Sequence, residues 1–213
     1  MANSFDGNNV KVGPGTLYAA PLGTPEPAGN TVAWPSAWQQ LGYTDNGSEF
    51  DMNPTTAAVE VEEEYWPIRN VTTAIAATMT FALAEQTARN LALSLNVGIG
   101  SGVNGTNLQA TGNGAGGAAT DIWVEPPNIG AEVRVMLGWD SLSPTGAGTA
   151  ASFGRLICRQ TYQSGTMKIT RQKGNNKATY ACEFSLEKPT GLQPFRFWFP
   201  AALGGGIVLG TGT

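Results

Sequence analysis

Hydrophobic and polar positions alternate most regularly from Ile75 onward: Ile75, Ala77, Met79, Phe81 and Leu83 fall on one side, and Ala76, Thr78, Thr80 and Ala82 on the other. A period of two predicts a strand with one apolar face and one face of small side chains. Such a small-residue face suits a surface along which something passes, or one that a second layer approaches closely. Upstream, Val59 and Val61 alternate with Glu60, Glu62 and Glu64, which predicts a second, charged strand that turns back through Pro67. Burying carboxylates so close together costs several kcal/mol each, so that face is expected to be wet. Downstream, Ala88, Leu91, Ala92 and Leu95 fall at helical spacing, with Thr87 as N-cap and Asn96 and Gly98 as stop signals. At about 15 Å this helix depends on packing, and Leu91 and Leu95 are expected in the core.

Outside that stretch the pattern predicts short strands and turns. Thr16–Pro21 reads as a strand, Leu22–Pro35 as a Pro/Gly loop, and Trp38–Thr44 as the approach to a further strand. Asn46-Gly47 inside Asp45–Glu49 is a hairpin-turn signal. Residues 97–119 are low in complexity and rich in Gly, Asn and Thr, and read as a long loop that is functional or ordered by a partner. Strands are then expected over 121–125, 132–139, 153–162, 167–172 and 178–187. Phe195, Phe197 and Phe199 alternate before Pro200. About nine or ten strands and one helix result, without a visible repeat.

Composition agrees with an all-β chain. The 213 residues suffice for one well-filled domain; only 13% are charged, against about a quarter in an average chain, and there are 28 glycines and 13 prolines. So little charge suits an assembly that hides much of its surface. Neither a membrane-spanning helix nor a secretory signal is expected. Cys158 and Cys182 each lie in a strand-like segment and read as buried thiols. Charge is uneven: 14 acids stand against 4 bases up to residue 154, and 2 against 8 beyond it. Opposite poles can pair inside the fold or between copies.

Little reactive chemistry is available. The chain has no histidine, which removes Ser-His-Asp, Cys-His and imidazole–metal sites. Gly98, Gly100 and Gly102 imitate part of a dinucleotide fingerprint but follow a helix, the wrong context. Asp45, Glu49 and Asp51 lack calcium-loop spacing. Glu183 or the glutamate run offers carboxylates for glycoside cleavage without further support. Asn70-Val71-Thr72 and Asn104-Gly105-Thr106 fit a glycosylation triplet that chance also supplies. Lys168, Arg171, Lys173 and Lys177 cluster without aromatic partners, and read as a solvated hairpin in place of a nucleic-acid surface. No catalytic residue, cofactor or metal site is expected.

The order of these pieces resembles a known family. VGPGTLYAAPLG (residues 12–23), LGYT (41–44), the acidic segment, and the stretch from Leu83-Ala84-Glu85 to Leu91-Ala92-Leu93 are similar to major tail, or tail tube, proteins of long non-contractile-tailed phages, notably those of actinobacteria. The resemblance is strongest over residues 10–96 and looser over 120–200. It implies a mainly β fold, a β-sandwich or barrel related to the tube of type VI secretion, with one short flanking helix and long loops and arms. From the residues themselves, the organisation expected is an N-terminal arm over 1–12, a single β domain over 13–200 that includes the long Gly-rich loop at 97–119, and a flexible tail over 201–213; the loop and the tail lie outside the resemblance.

The function implied is structural. Subunits form rings of six that stack into a hollow tube for DNA ejection, with tape-measure, terminator and tip proteins as partners. DNA passes without specific binding, no membrane is involved, and assembly takes place in the host cytoplasm before the protein resides in the virion tail. On that reading Glu60, Glu62, Glu64, Ala76, Thr78, Thr80 and Ala82 are candidates for the lumen wall. Phe5, Val10, Leu108, Ile207, Val208 and Leu209 are candidates for contacts between subunits. The alternative from another class is a β-sandwich module that binds a receptor or glycan through Trp123, Trp139 or Trp198. A trimeric capsid-decoration protein is a third reading.

Overall fold

The computed structural model describes residues 15–99, 108–112, 119–142, 152–170 and 178–199. They form β1 (Gly15–Pro21), β2 (Gln39–Gln40), β3 (Thr44–Val59), β4 (Arg69–Leu83), α1 (Ala88–Ser94), β5 (Leu108–Gly112), β6 (Ala119–Val124), β7 (Val135–Leu142), β8 (Ser152–Gln163), β9 (Lys168–Thr170), β10 (Thr179–Leu186) and β11 (Phe195–Trp198). The fold is therefore mainly β with one helix among the described residues, as expected. The antiparallel main sheet runs β2-β1-β7-β8-β10-β4-β3, with β11 on β8 and β9 on β10; β5 and β6 pair separately. β5 lies within the stretch read as loop.

The core occupies the inside of this sheet. Leu17 and Ala19 from β1, Leu137 from β7, Leu156 and Cys158 from β8, Phe184 from β10 and Met79 and Phe81 from β4 belong to one buried cluster. Strands next to both ends of the sheet order thus share a core, and the short link from β2 to β3 ties those ends together, Leu41 donating to the Leu17 carbonyl and Tyr43 accepting from the Ala84 amide, so the sheet curls round the core as a partly closed barrel. Phe81 and Phe184 stack at 5.6 Å between centroids. Cys158 and Cys182 are free and buried, and desolvation raises both thiols, Cys182 to about 12.

α1 closes the barrel at one end. Thr87 accepts a hydrogen bond from the Asn90 amide as the expected N-cap, and Asn96 takes a left-handed φ of 56° beyond the last turn. The helix ends at Ser94, one residue short of Leu95, so the expected stripe is shifted. Leu93 joins the core and Leu91 packs against it half-buried, while Leu95 is a half-buried cap. Asn90 is also buried, because its side-chain amide donates to the carbonyls of Leu41 and Glu85 at 3.1 and 2.8 Å. Asn96 then extends β8 like a strand residue, exchanging side-chain bonds with the Gln163 backbone at 2.7 and 2.8 Å.

Two expectations near β3 are overturned. Asn46-Gly47 does not reverse the chain. It makes a bulge inside β3 between the pairs Asp45–Ala82 and Ser48–Phe81, with Gly47 at φ 79°. A glycine with positive φ serves a bulge as well as a turn, and the uninterrupted β4 alongside selects the bulge. Second, β3 ends at Val59, so Glu60, Glu62 and Glu64 lie in the connection to β4 and not on a strand. Chain reversal before Arg69 requires a loop there, and splaying like charges into water relieves their repulsion.

The second face of the sheet has its own small core. Ala20, Trp38, Met136 and Ile157 are buried together under Tyr18, Trp34 and Trp198. The 22–38 segment supplies the lid: Leu22–Pro35, expected as a Pro/Gly loop, together with Trp38, expected at the approach to a strand. Trp34 stacks on Tyr18 at 4.5 Å, and its indole N–H donates to Asp140 at 2.7 Å. Arg155 binds Asp140 through two hydrogen bonds of 2.7 and 2.9 Å, donates to the Gly29 and Val32 carbonyls at 2.8 Å, and lies over the Trp34 ring. Arg159 and Arg196 both reach Glu26. Part of the uneven charge therefore resolves inside the fold.

Candidate functional site

The lid covers only the β1–β7–β8 half of that face. Among the described residues the β10–β4–β3 half is left open apart from the turn at Ser164 and Gly165, which lies against Glu183 and Ser185, and it carries the predicted small-residue row. Ala76 and Thr80 are exposed and Thr78 and Ala82 half-buried, on the side opposite the buried Ala77, Met79, Phe81 and Leu83. Register then brings in residues that the one-strand pattern did not reveal. Thr80 sits between Glu49 of β3 and Glu183 of β10; Thr78 sits between Asp51 and Ser185; Ala82 sits between Asp45 and Ala181; Ala76 faces Asn53.

Glu49, Asp51 and Glu183 are exposed, so this face is acidic as well as smooth. Glu49 and Glu183 flank Thr80 at two strand spacings, roughly 9.5 Å, about one Debye length at 0.1 M salt. The strip thus combines low relief with negative charge. Both ends of its acidic row are built from strands distant in sequence, β3 and β10, and only the pairing shows it.

Glu60, Glu62 and Glu64 are placed elsewhere, at the tip of the β3–β4 hairpin together with Glu63. The tip is fastened by Ile68 N–H to the Val59 carbonyl at 3.0 Å, and it presents Tyr65 and Trp66 at 103% and 81% exposure. Below it the apolar face of the hairpin outruns the core. Phe50–Met79 pair within it, whereas Met52–Ala77 and Pro54–Ile75 continue outward, and Met52 and Ile75 are 51% and 62% exposed. Sixteen residues of β3 form the terminal strand of the sheet order.

Of the residues expected between subunits, Leu108 lies in β5 opposite Val124. Phe5, Val10, Ile207, Val208 and Leu209 lie outside the described residues. The tryptophans of the alternative reading are engaged in packing: Trp139 against the main core and Trp198 against the small one, with Trp123 half-buried in β6. Among the described residues no group of acids and thiols is arranged to hold a metal, and no helix is long and apolar enough to cross a membrane. Two carboxylates of one polar cluster are held below their usual range: Glu187 by hydrogen bonds from Arg134 and Gln160, and Glu132 chiefly by the Gly130 amide, both on a structural bridge through Arg134.

No curated protein matches the chain in sequence. A family model described as phage tail tube protein does match, over residues 2–117, more than half of the 213. That span takes in β1 to β5, hence the whole projecting hairpin, the β3–β4 part of the bare strip and α1. The chain belongs to the phage tail tube protein family.

Proposed function

We propose that this structural tail protein is the repeating subunit of the tube wall, that it closes into rings of six stacked along the tail, and that DNA leaves through the bore. The family match is the observation that carries the reading. Two features of the fold support self-association. β3 is a long edge strand, a template for pairing with another chain, and the opposite end of the sheet order is the two-residue β2. Unlike edges meeting head to tail generate a ring when the rotation closes. Tape-measure, terminator and tip proteins are the partners, assembly takes place in the host cytoplasm, and neither enzymatic activity nor a cofactor is part of the role.

The lumen wall in this proposal is the bare strip: Ala76, Thr78, Thr80 and Ala82, joined by Glu49, Asp51 and Glu183. Small side chains keep the bore wide. Carboxylates repeated in every subunit repel phosphate, so that DNA slides without sticking. Glu60, Glu62 and Glu64 leave the lumen set, because the hairpin carries them well beyond the strip.

Negative-stain electron microscopy across a concentration series, with light scattering alongside, tests the assembly. Hollow rings or tubes of uniform diameter are expected; a monomer at every concentration, including with tail initiator proteins, would overturn it. For the lumen, Glu49, Asp51 and Glu183 changed together to Lys should leave tubes intact and impair DNA ejection. Normal ejection through such tubes would remove the strip from the bore.

A further inference from the structure

The exposed apolar face of the hairpin borders a groove at the hairpin's base. The groove has a volume of about 700 Å³ and is lined by Met52, Ile75, Leu186, Pro194 and Phe195, with Lys188 among its polar groups. Its floor is rigid. Phe50 meets Phe195 and Phe197 edge to face at 5.1 and 5.6 Å, and Pro194 is anchored where its carbonyl accepts the Arg159 amide at 2.9 Å. The hairpin tip offers the complementary surface: two large exposed rings, Tyr65 and Trp66, and the 57% exposed Ile68, set among four glutamates.

From the structure we infer that the tip of one copy, led by Trp66 and Tyr65, docks into the basal groove of a second copy, with the tip glutamates facing Lys188. The inference rests on the self-assembling subunit proposed above and names which surfaces meet. Two observations, and the general strength of an aromatic anchor, commit the groove to a second copy. The tip is apolar where the groove is apolar and negative where the groove is positive. An aromatic ring that fills such a site buries roughly 150–250 Å², which makes it an anchor and not rim contact. The tip also cannot fold back into its own groove: Met52 and Val59 belong to one continuous strand, so about 23 Å of paired ribbon separates groove from tip. The contact is therefore heterologous, knob on one copy and hole on the next, and it propagates.

Cysteine pairing tests this directly, since Cys158 and Cys182 are buried and their thiols are raised far from reactivity. Trp66→Cys protein mixed with Ile75→Cys protein should cross-link with a short bismaleimide into a mixed dimer, and the double variant should give a ladder. In the same preparations Trp66→Ala should raise the concentration needed for assembly by about 30-fold, as expected for losing one anchor. Lys188→Glu should weaken assembly and regain it with Glu62→Lys and Glu64→Lys. Tubes that form at the wild-type concentration with Trp66→Ala and give no mixed cross-link would overturn the docking while leaving the tube-subunit reading intact. A mixed cross-link from protein that never closes into rings or tubes would support the docking and count against the ring.

Discussion

The 22–38 lid and the β3–β4 hairpin are opposites in how order relates to burial. The lid has almost no regular structure, yet Trp38 is 5% exposed and Trp34 is held by Asp140, Arg155 and Tyr18 at once. The hairpin is paired along most of its length, yet from Asp51 to Ala76 nearly every residue is exposed. Regular backbone pairing is therefore no measure of what stabilises this subunit. The lid contributes to the monomer, whereas the hairpin carries its apolar surface outward, where no described part of the subunit covers it.

The largest effect is expected where the lid is pinned. Asp140→Ala leaves the 3% exposed Arg155 guanidinium without its counter-charge and removes the acceptor of the Trp34 indole. Breaking one side of a buried pair costs about 3–5 kcal/mol, and urea unfolding monitored by tryptophan fluorescence should show it. A loss below about 1 kcal/mol would mean that the lid contributes little and that the contrast with the hairpin is one of geometry alone.

A matched pair of glycine substitutions sharpens the point. A Cβ on Gly138 would lie 2.3 Å from the Trp34 ring, whereas one on Gly47, in the bulge, meets nothing within 4 Å. Gly138→Ala must push the lid outward and should cost about 1–3 kcal/mol. Gly47→Ala carries only the strain of its positive φ, about 1 kcal/mol. Thermal melts of the two variants should rank Gly138→Ala the less stable; the reverse order would mean that the bulge, not the lid contact, is the critical feature.

Between these extremes lies the half-exposed bridge of Arg134, Glu187 and Gln160. Hydrogen bonds from Arg134 and Gln160 lower the Glu187 carboxyl, so its contribution is present above the unfolded pKa and lost as pH falls through the folded one. The relevant window lies below about pH 4.3. Solvent screening limits the effect to under about 1 kcal/mol. Glu187→Gln should flatten the acid side of the stability–pH curve by that amount and leave the curve near neutrality almost parallel to wild type; an unchanged acid limb would assign the bridge no role in folding.

Much of the fold was legible because it depends on local periodicity. The alternation in β4, the Thr87 cap, the stop at Asn96 and the strand segments after residue 120 all follow from neighbours in sequence. What was not legible depends on partners. Asn46-Gly47 encodes a positive φ, which a turn and a bulge share, and only the strand alongside decides between them. The acidic run was compatible with extended backbone, but chain reversal before Arg69 placed it in the tip. The acidity of the small-residue strip comes from Glu49 and Glu183, which Thr80 meets only through pairing. Trp34, at the end of the Pro/Gly loop, and Trp38, just beyond it, offered only a faint signal of an aromatic pair, whose meaning required the distant Arg155 and Asp140.

The smallest expected effect is the one that separates the two regions most cleanly. Tyr65→Ser with Trp66→Ser removes two large rings, a change that in the lid would cost several kcal/mol. At the tip both rings are exposed and no core cluster includes them. Surface substitutions of this kind stay within about 0.5 kcal/mol, so the double variant should unfold in urea with the same midpoint and slope as wild type when both are held dilute and monomeric. A clear loss of monomer stability would show that the tip packs against its own subunit, and the hairpin would then stabilise the monomer as the lid does. An unchanged monomer that fails to assemble would place the whole energetic role of those rings between copies, which is where a regular but uncovered hairpin puts them.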